Sequence, residues 1–531
     1  MFAKCYRYNM AAIALSSLLG TSAAQAVPTL EFTQLWTQQS DEGSEIVAID
    51  QASGRVFNTS GDGVEVRDIN TGALYGTFTV PDTGGVNSVA VSNGILAVAA
   101  QANVTQDPGV IAFFNASDVD PDNSAPINTV TAGALPDMVT FTPDGNKVLV
   151  ANEGEPNDAY TIDPEGSISI IDISGGVASA TVTNLDFTAF NGSAALIEAD
   201  GGRIFGPGAS VAMDLEPEYI TVSPDGQTAF VTLQENNAVA RIDLATETIV
   251  EIQGLGFKDH SDAGNALDPS DRDDGINITN WPVLGMYQPD SIDSYEVGGQ
   301  LYYVTANEGD ARDYGGFSEE TRVEDLLLDA AAYPDAGTLQ MEENLGRLKT
   351  TTATGDNDGD GDFDQIYSYG ARSFSIWDEN GDLIFDSGEM IERLTAQIDP
   401  SIFNQNEGNG VADNRSDDKG PEPEALSLVE IGEWVYALVG LERTGGLMVF
   451  DVTDPTSPVF QQWLYNAADI GPEGIAFSLL SENSRGGTGY VAVANEVSNT
   501  TTFYQVSAVP APASVVLMAI GLLALRRRLT A

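Results

Sequence analysis

Residues 136–156, PDMVTFTPDGNKVLVANEGEP, contain the clearest local signal of the fold. It predicts a β-hairpin, because two short apolar segments flank the Pro-Asp-Gly turn at residues 143–145. Asp137 opens the first predicted strand and Glu153 closes the second. A hairpin brings the two ends of its strands together, so we expect both carboxylates at the same end of one unit.

This hairpin unit recurs seven times along the chain, and each copy opens with an acid or an amide. The opening residues are Glu45, Asn87, Asp137, Glu218, Asp290, Glu424 and Glu473. Several copies precede a third predicted strand that ends in an acid, at residues 64–69, 167–173, 238–244 and 446–452. Seven short antiparallel sheets in series predict an all-β, seven-bladed β-propeller, and the alternatives are a solenoid or two β-sandwiches.

The ends of the repeat region predict how the ring closes. The last copy has a third strand at residues 501–506, TTFYQV, and the segment LEFTQLW at residues 30–36 can add the fourth. A ring closed in this way leaves no open sheet edge. The predicted propeller therefore spans residues 27–507.

The largest insert lies between the fifth and sixth hairpins, at about residues 317–420. It predicts a helix with Ser318 as N-cap. The apolar stripe of this helix consists of Val323, Leu326, Leu327 and Ala330. Residues 404–420, NQNEGNGVADNRSDDKG, have the composition of a disordered segment. Long inserts between blades are the usual place for function or regulation.

Both ends of the chain resemble targeting segments. Residues 1–26 resemble a secretory signal peptide, with a basic start, a short apolar run and an Ala-Gln-Ala cleavage site. Residues 508–531 resemble a PEP-CTERM sorting signal of Gram-negative bacteria, with Ala511 where Glu is commonest. That resemblance implies an exosortase-type processing enzyme and a location at the cell surface or in the outer-membrane-associated extracellular matrix. A plain C-terminal membrane anchor is the alternative, and no other membrane contact is expected.

The chain is strongly acidic, with 79 Asp and Glu, 22 Lys and Arg, and a formal net charge of -57. Loss of both targeting segments would remove five basic residues and no acid, which makes the net charge about -62. Such a surface repels nucleic acid and attracts divalent cations.

Rare residue types exclude several classes of site. The only cysteine, Cys5, falls in the predicted signal peptide, and the only histidine, His260, lies in an insert. The mature chain therefore has no disulfide, thiolate zinc site or histidine-rich metal site. A P-loop and a dinucleotide fingerprint are also absent from the sequence. Any hydrolysis would have to be metal-assisted.

Two sets of carboxylates are expected to crowd one face of the propeller, where first strands begin and second strands end. The candidate metal ligands are Asp137, Glu218, Asp290, Glu424 and Glu473 from the openings, and Glu153, Glu235, Glu308, Glu442 and Glu496 from the closings. Confined carboxylates must be protonated, paired or neutralised by cations, and their hard oxygens suit Ca²⁺ or Mg²⁺. The alternative is that each acid caps backbone N–H groups or pairs with an arginine.

A second candidate metal site is the run DNDGDGD that begins at residue 356. Its metal-ligand candidates are Asp356, Asp358, Asp360 and Asp362. Acids at positions 1, 3 and 5 and Gly at position 6 match the first half of a calcium loop. Position 12 is Tyr367 rather than Glu, so the run is not a complete EF-hand, and a solvated acidic loop is the alternative. The related run at residues 378–382 predicts a hairpin turn.

Arginine is scarce, and the arginines considered are Arg203, Arg241, Arg312, Arg322, Arg372 and Arg443. An arginine in the acidic mouth could recognise phosphate or carboxylate beside calcium, whereas pairing with neighbouring acids is the alternative. Arg312 and Arg443 lie closest to the predicted ring in sequence and are the candidate catalytic residues.

Five segments together resemble the choice-of-anchor I family over essentially all of the mature chain. They are LPDMVTFTPDGNKVLVANEGEP, FGPGASVAMDLEPEYITVSPDG, DGINITNWPVLGMYQPDSI, TANEGDARDY and YGARSFSIWDENGDLIFDSG. The family is similar to mesenchyme-specific cell-surface glycoproteins of biomineralising animals, and its fold to YVTN-type and phytase-like propellers. Some bacterial members carry an alkaline-phosphatase label. The resemblance implies a secreted, cell-surface propeller without assigning a reaction.

Three functional hypotheses follow. The leading one is a calcium-binding surface or matrix protein, with extracellular matrix or phosphorylated small molecules as partners. The second is a calcium-dependent phosphoesterase of the alkaline phosphatase or phytase-like kind. In it, calcium on Glu153 and Glu308 would orient phosphate, and Arg312 or Arg443 would stabilise its charge. The third is a purely structural scaffold.

Overall fold

The computed structural model describes residues 27–61, 63–483 and 486–509. The predicted signal peptide and residues 510–531 of the predicted sorting segment lie outside the described residues. No helix within the described ranges combines the length and the apolar composition needed to cross a membrane.

Seven four-stranded antiparallel sheets account for most of the described chain, and we number them 1 to 7 in chain order. Sheet 1 consists of Val47–Asp50, Arg55–Ser60, Gly63–Asp68 and Leu74–Thr79. Sheet 2 consists of Gly85–Ser92, Ile95–Gln101, Pro108–Asn115 and Asn128–Ala134. Sheet 3 consists of Pro136–Phe141, Lys147–Asn152, Ser167–Asp172 and Thr181–Asp186. Sheet 4 consists of Pro217–Val222, Thr228–Leu233, Ala238–Asp243 and Thr248–Gly254.

The remaining three sheets differ in their connections. Sheet 5 consists of Ile292–Val297, Gln300–Asn307, Ser373–Asp378 and Leu383–Asp386. Sheet 6 consists of Pro423–Ile431, Trp434–Leu441, Leu447–Asp451 and Val459–Leu464. Sheet 7 consists of Pro472–Asn483, Gly486–Asn495, Thr500–Val509 and Thr29–Gln39. The predicted all-β class is confirmed, and the first described strand pairs with the last, with Thr29 opposite Val509.

Neighbouring sheets pack against each other through apolar side chains. The first strand of each sheet contacts the first strand of the next, and the first strand of sheet 7 contacts that of sheet 1. Buried clusters fill the spaces between successive sheets. The rings of Phe78 and Phe114, for example, lie 4.6 Å apart between sheets 1 and 2. Burial of each such side chain stabilises the fold by roughly 1.5–3 kcal/mol, because alternate residues of every strand meet a neighbouring sheet.

The inserts form smaller elements beside the sheets. Phe257–Asp259, Leu284–Met286 and Tyr367–Ser368 make a three-stranded sheet, and Asp313–Tyr314 pairs with Phe317–Ser318. Glu320–Arg322 pairs with Lys349–Thr351. The described α-helices are Ala194–Ala199, Val211–Asp214, Ala336–Leu339 and Met390–Ile398. The 3-10 helices are Pro121–Asn123, Val177–Ser179, Thr188–Phe190, Val323–Asp325 and Pro400–Ile402, and Glu342–Gly346 is a π-helical turn.

Two predictions for the large insert are wrong. The predicted helix after Ser318 is absent from the described residues, where short strands and a 3-10 turn occupy its place. Val323 is buried in the core of the insert, but Leu327 is 67% exposed, so the apolar residues do not share one helical face. Residues 404–420 are packed at both ends, where Asn404 and Lys419 are buried, whereas residues 407–411 are exposed. The predicted turn at residues 378–382 is confirmed, since it joins two paired strands of sheet 5.

Candidate functional site

A proline and a register shift place the opening acid in four of the sheets. In sheet 3, Pro136 pairs with Asn152 and regular pairing resumes only at Val139, so Asp137 lies in the irregularity. Glu153 directly follows the paired Asn152. The same Pro-acid step and register shift occur in sheets 4, 6 and 7. Such irregularities change the direction of a side chain. In each of these strands, the acid therefore lies outside the regular pattern of strand pairing.

These acids meet in one cavity of about 320 Å³, which we call the acidic mouth. Eight of the ten predicted ring ligands line it, namely Asp137, Glu153, Glu218, Asp290, Glu308, Glu424, Glu442 and Glu473. Gln234, Asp310, Lys419 and Arg443 complete the lining. Glu235 does not line the cavity but lies near Glu218. Burial is the largest cause of the raised pKa of Glu218, and the charge of Glu235 is the next. Glu496 is not among the lining residues, although its charge helps to raise the pKa of Glu473.

A second cavity, of about 260 Å³, adjoins the acidic mouth. The two share Asp137, Glu153, Asp290 and Glu473. Glu45, Asn87, Gln101, Met138 and Tyr219 also line the second cavity. The mouth therefore continues into the second cavity, which is also lined by acidic side chains.

One side of the mouth is neutralised by basic side chains, and we call it the paired sector. It contains the carboxylates Glu308, Glu422 and Glu442 with the cations Lys419, Arg415 and Arg443. Lys419 Nζ lies 2.5 Å from Glu308 Oε1 and 3.3 Å from Glu422 Oε2. Burial disfavours the charged form of Glu422, but Lys419, Arg415 and Arg443 outweigh it and lower the pKa to about 2.

The remaining acids form the unpaired sector, in which no Lys or Arg ion pair occurs among the residues that the structure describes. Its members are Asp137, Glu153, Glu218, Glu235, Asp290, Glu424 and Glu473. The Oε2 atoms of Glu218, Glu235, Glu424 and Glu473 are buried without a hydrogen-bond partner in the described structure. Glu218 and Glu235 are only 8% and 5% exposed. These side chains lack the partners that buried carboxylates normally have.

The pKa values of the unpaired sector reflect this shortage of partners. Burial raises the pKa of Asp137 to about 7, with smaller contributions from the charges of Glu155 and Glu45. Burial also raises the pKa of Glu235 to about 7, against the opposing charge of Arg312. The pKa values of Glu218 and Asp290 are raised well above the usual range for the same reason. At neutral pH each of these carboxyl groups must therefore either keep its proton or, once ionised, be neutralised by a cation.

Two triads of carboxylate oxygens in the mouth have the spacing of a metal site. Oxygens of Asp290, Glu308 and Glu424 lie within 4.8 Å of one another, and so do oxygens of Glu308, Glu422 and Glu442. Two oxygens that bind one Ca²⁺ at about 2.3–2.6 Å can lie up to about 5.2 Å apart, so this spacing is compatible with a shared ion. Glu308 belongs to both triads. Its Oε2 accepts a hydrogen bond of 2.8 Å from Gln234 Nε2.

The loop at residue 356 forms a third carboxylate group, in the large insert. Oxygens of Asp356, Asp358 and Asp360 lie within 4.8 Å of one another, and all three residues are exposed. Asp356 Oδ1 accepts from the Gly359 N–H at 2.8 Å, which holds the loop in a tight turn. The pKa of Asp362 is raised to about 6 by desolvation and by Asp360. Three of the four predicted loop ligands are thus brought together.

The two candidate catalytic arginines occupy different environments. Arg312 is fully buried, with Nη1 2.5 Å from Asp214 Oδ1 and Nη2 3.0 Å from Glu216 Oε2. Its Nη2 also donates to the Asp214 carbonyl at 2.6 Å, so its donors are engaged inside the protein. Arg443 lines the acidic mouth, and its guanidinium pairs with Glu442 at 2.9 Å, with Glu422 at 3.3 Å and with Glu407. Of the two arginines only Arg443 borders the mouth, and a ligand there would share its donors with these carboxylates.

The sequence reasoning missed two of the three cations of the paired sector, Lys419 and Arg415. Both lie in the segment that was predicted to be disordered, and Glu422 follows its end after Pro421. Glu155 was also missed, and it accepts a hydrogen bond of 2.8 Å from Tyr314. A signal was present, because residues 415–422 concentrate two of the scarce basic residues of the chain beside a Pro-Glu step.

A family model described as the Choice-of-anchor I domain matches residues 45–455, which include sheets 1 to 5, three strands of sheet 6 and most of the acidic mouth. The chain belongs to the choice-of-anchor I family. The resemblance found in the sequence is therefore confirmed for this part of the chain. As a choice-of-anchor I protein, it carries its Asp290, Glu308 and Glu424 triad within the matched region.

Two curated proteins are similar to this choice-of-anchor I chain. The Mesenchyme-specific cell surface glycoprotein of Strongylocentrotus purpuratus is 28% identical over 351 residues, which cover 58% of this chain and 43% of that protein. Gigasin-3a of Magallana gigas is 33% identical over 148 residues, which cover 26% of this chain and 52% of that protein. The matches thus span about half the length of these relatives or less.

Solved structures share a distant likeness with the choice-of-anchor I fold. Hydrazine Synthase of Kuenenia stuttgartiensis aligns with a TM-score of 0.46 and 14% identity, over 88% of this chain and 96% of that chain. The β-propeller domain of Cps50 (Swd1) from Myceliophteria thermophila aligns with a TM-score of 0.42 and 10% identity, over 88% of this chain and 99% of that chain.

Proposed function

We propose that this protein is a secreted, surface-located, calcium-binding β-propeller that acts as a surface binding or matrix protein. Its acidic mouth is the principal ion site. The loop of Asp356, Asp358 and Asp360 is a second, exposed site. The name of the Strongylocentrotus purpuratus relative, a cell surface glycoprotein, supports the location.

The propeller in this proposal is a ring of seven blades, one from each four-stranded sheet. The contacts between successive first strands, including those between sheets 7 and 1, support a closed arrangement. The apolar clusters between successive sheets support it as well. The strand Thr29–Gln39 closes the last blade and joins the beginning of the ring to its end. A closed ring brings the opening and closing acids of all its blades to one mouth.

The unpaired sector is the observation that carries the calcium proposal. Ionised carboxylates that are buried without counter-charge are costly, because water is lost and nothing replaces it. A divalent cation on Asp290, Glu308 and Glu424 would repay that cost and use the unpartnered Oε2 of Glu424. The donor set consists of oxygens only, which is the preference of Ca²⁺ rather than of zinc or copper.

Ion binding at the mouth can be separated from ion binding at the loop. The full chain carrying Asp356→Asn and Asp358→Asn is titrated with Ca²⁺ by calorimetry after the metal has been removed on a chelating resin. We expect saturable binding that Glu424→Gln weakens by at least about tenfold, as loss of a metal-site group does. Glu296→Gln, on the exposed side of sheet 5, is the matched control and should change nothing. Absence of saturable binding in the loop variant would overturn the mouth site.

A calcium-dependent phosphoesterase is the second candidate function. Arg443 and Lys419 favour it, because they place positive charge in the same cavity as the unpaired sector. An ion there would orient a phosphate, and Arg443 would face its charge. The test is turnover of a generic phosphomonoester by the full chain with Ca²⁺ and with a chelator. Absence of calcium-dependent turnover would leave the binding function alone, and absence of ion binding as well would favour a structural scaffold.

Surface delivery in this proposal depends on the terminal segments. The signal-peptide-like start and the PEP-CTERM-like end support secretion by a Gram-negative bacterium and processing by an exosortase-type enzyme. Mass spectrometry of the protein recovered from its native cells should give a mature N-terminus near residue 27 and a shortened C-terminus. Recovery of the intact chain with residues 1–26 and 510–531 would contradict this delivery route.

A further inference from the structure

Lys419 places an ammonium group against two members of a carboxylate triad. The residue is 8% exposed, and its Nζ lies 2.5 Å from Glu308, 3.3 Å from Glu422 and 3.8 Å from Asp310. Glu308 and Glu422 belong to the triad that Glu442 completes, whose oxygens lie within 4.8 Å of one another. A lysine ammonium is a compact point charge, and here it contacts two of the three carboxylates that an ion at this triad would bind.

The neighbouring triad has the same oxygen spacing and no such lysine. Asp290 and Glu424 make no ion pair with Lys or Arg within the described residues, and Glu424 Oε2 has no hydrogen-bond partner there. The two triads meet at Glu308, whose Oε1 contacts Lys419. The mouth thus contains two carboxylate triads of the same oxygen spacing side by side, and in one of them Lys419, with Arg415 and Arg443, already supplies positive charge.

We propose that Lys419 is a built-in counter-cation that occupies a second cation subsite, formed by Glu308, Glu422 and Glu442. It therefore determines how many divalent ions the acidic mouth binds. The inference rests on the proposed ion binding at the mouth. It predicts that the lysine and an ion are interchangeable at this subsite, so that removal of the ammonium opens the subsite to Ca²⁺.

The surroundings of Lys419 explain why the protein can hold this charge in place. The segment that carries it is fixed by its neighbours, since Lys349 Nζ pairs with Asp418 at 3.1 Å and Arg415 pairs with both Asp418 and Glu422. The lysine therefore enters the mouth on an insert that folds over sheets 5 and 6. This arrangement supplies one positive charge permanently, which reduces repulsion among the acids when no ion is bound.

The test counts ions in Lys419→Met and Lys419→Gln, both in the full chain with Asp356→Asn and Asp358→Asn. Bound Ca²⁺ per chain is measured by atomic emission after equilibrium dialysis, and thermal midpoints are measured in chelator and in millimolar Ca²⁺. The matched control is Lys147→Met, because Lys147 pairs with Glu247 at 2.8 Å away from the mouth. We expect each Lys419 variant to bind one more Ca²⁺ per chain than its parent, and the control to bind the same number.

The thermal midpoints provide the second readout. Each Lys419 variant should lose stability in chelator and recover in Ca²⁺ by more than the parent gains. Unchanged ion counts in folded variants would overturn the proposal. Unfolding of both variants in chelator and in Ca²⁺ alike would also overturn it, because an ion would then be unable to replace the lysine. Failure of the parent to bind Ca²⁺ would refute ion binding at the mouth. If the parent binds Ca²⁺ and the Lys419 variants bind the same number of ions, only the role of Lys419 is refuted.

Discussion

Arg312 and Asp214 form an ion pair of 2.5 Å in which neither side chain is exposed to solvent. The guanidinium of Arg312 also lies over the ring of Phe205, with its Cζ 4.6 Å from the ring centroid. A buried pair that is broken on one side leaves an uncompensated charge, which typically costs about 3–5 kcal/mol.

We therefore expect Arg312→Met to lower the free energy of unfolding by about 3–5 kcal/mol, as measured by urea denaturation of the full chain. Arg241→Met is the control, because Arg241 and Glu251 form an exposed pair whose loss should cost less than about 1 kcal/mol. Equal effects of the two variants would show that the burial of Arg312 contributes nothing.

In metal-free protein, the pH dependence of stability should reflect the raised pKa values of the unpaired sector. Burial gives Asp137 and Glu235 folded pKa values of about 7, against ordinary values of 3.8 and 4.5. Between these limits the folded state holds protons that the unfolded chain has released, so stability falls as pH rises through that window. We expect a lower thermal midpoint at pH 8 than at pH 5 in metal-free buffer, and a smaller difference with saturating Ca²⁺. A midpoint that rises from pH 5 to pH 8 without metal would contradict this.

Trp36 tests the contact between sheets 7 and 1. Its ring stacks on Phe503 at 4.9 Å, and its Nε1 donates to the Ile69 carbonyl of the sheet 1 region at 3.0 Å. We expect Trp36→Ala to lower the free energy of unfolding by about 3–5 kcal/mol, measured by denaturant titration. Leu35→Ala is the matched control, since Leu35 is 41% exposed and its loss should cost less than about 0.5 kcal/mol. Similar losses in both variants would argue against a tight seam.

Gly309 tests the backbone that positions Glu308. A Cβ at Gly309 would lie 2.0 Å from the backbone nitrogen of Gly370, and the φ angle of Gly309 is +90°. Gly298 shares a positive φ, of +64°, but has no atom within 4 Å of its Cβ position. We expect Gly309→Ala to cost more stability than Gly298→Ala by at least about 1 kcal/mol, and to weaken Ca²⁺ binding as well. Equal losses would mean that this close approach of two backbones is unimportant.

The parts of the fold that follow from local signals could be predicted from the sequence. The Pro-acid steps and the Pro-Asp-Gly turn place Asp137 and Glu153 at one end of a hairpin, and the repeat extends this to the other sheets. Contacts across long sequence separations could not be predicted in this way. Lys419 meets Glu308 across 111 residues, and its polar surroundings have the same composition as a disordered segment.

The burial of individual residues could not be predicted from the sequence either. Arg312 pairs with Asp214 across 98 residues, so a sequence reading that placed it near the ring could not show that its donors are engaged. Val323 and Leu327 gave a helical pattern, yet only Val323 is buried, because the insert packs against residues 254–285 rather than presenting one helix face. In both cases the deciding partner belongs to a distant segment.

Anomalous diffraction can show whether a divalent cation binds in the acidic mouth. Crystals of the protein grown with Ca²⁺ should show an anomalous peak among the carboxylate oxygens of Asp290, Glu308 and Glu424. Peaks at the loop of Asp356, Asp358 and Asp360 would be additional and would not replace it. Diffraction that shows calcium only at that loop, or no calcium at all, would contradict the account.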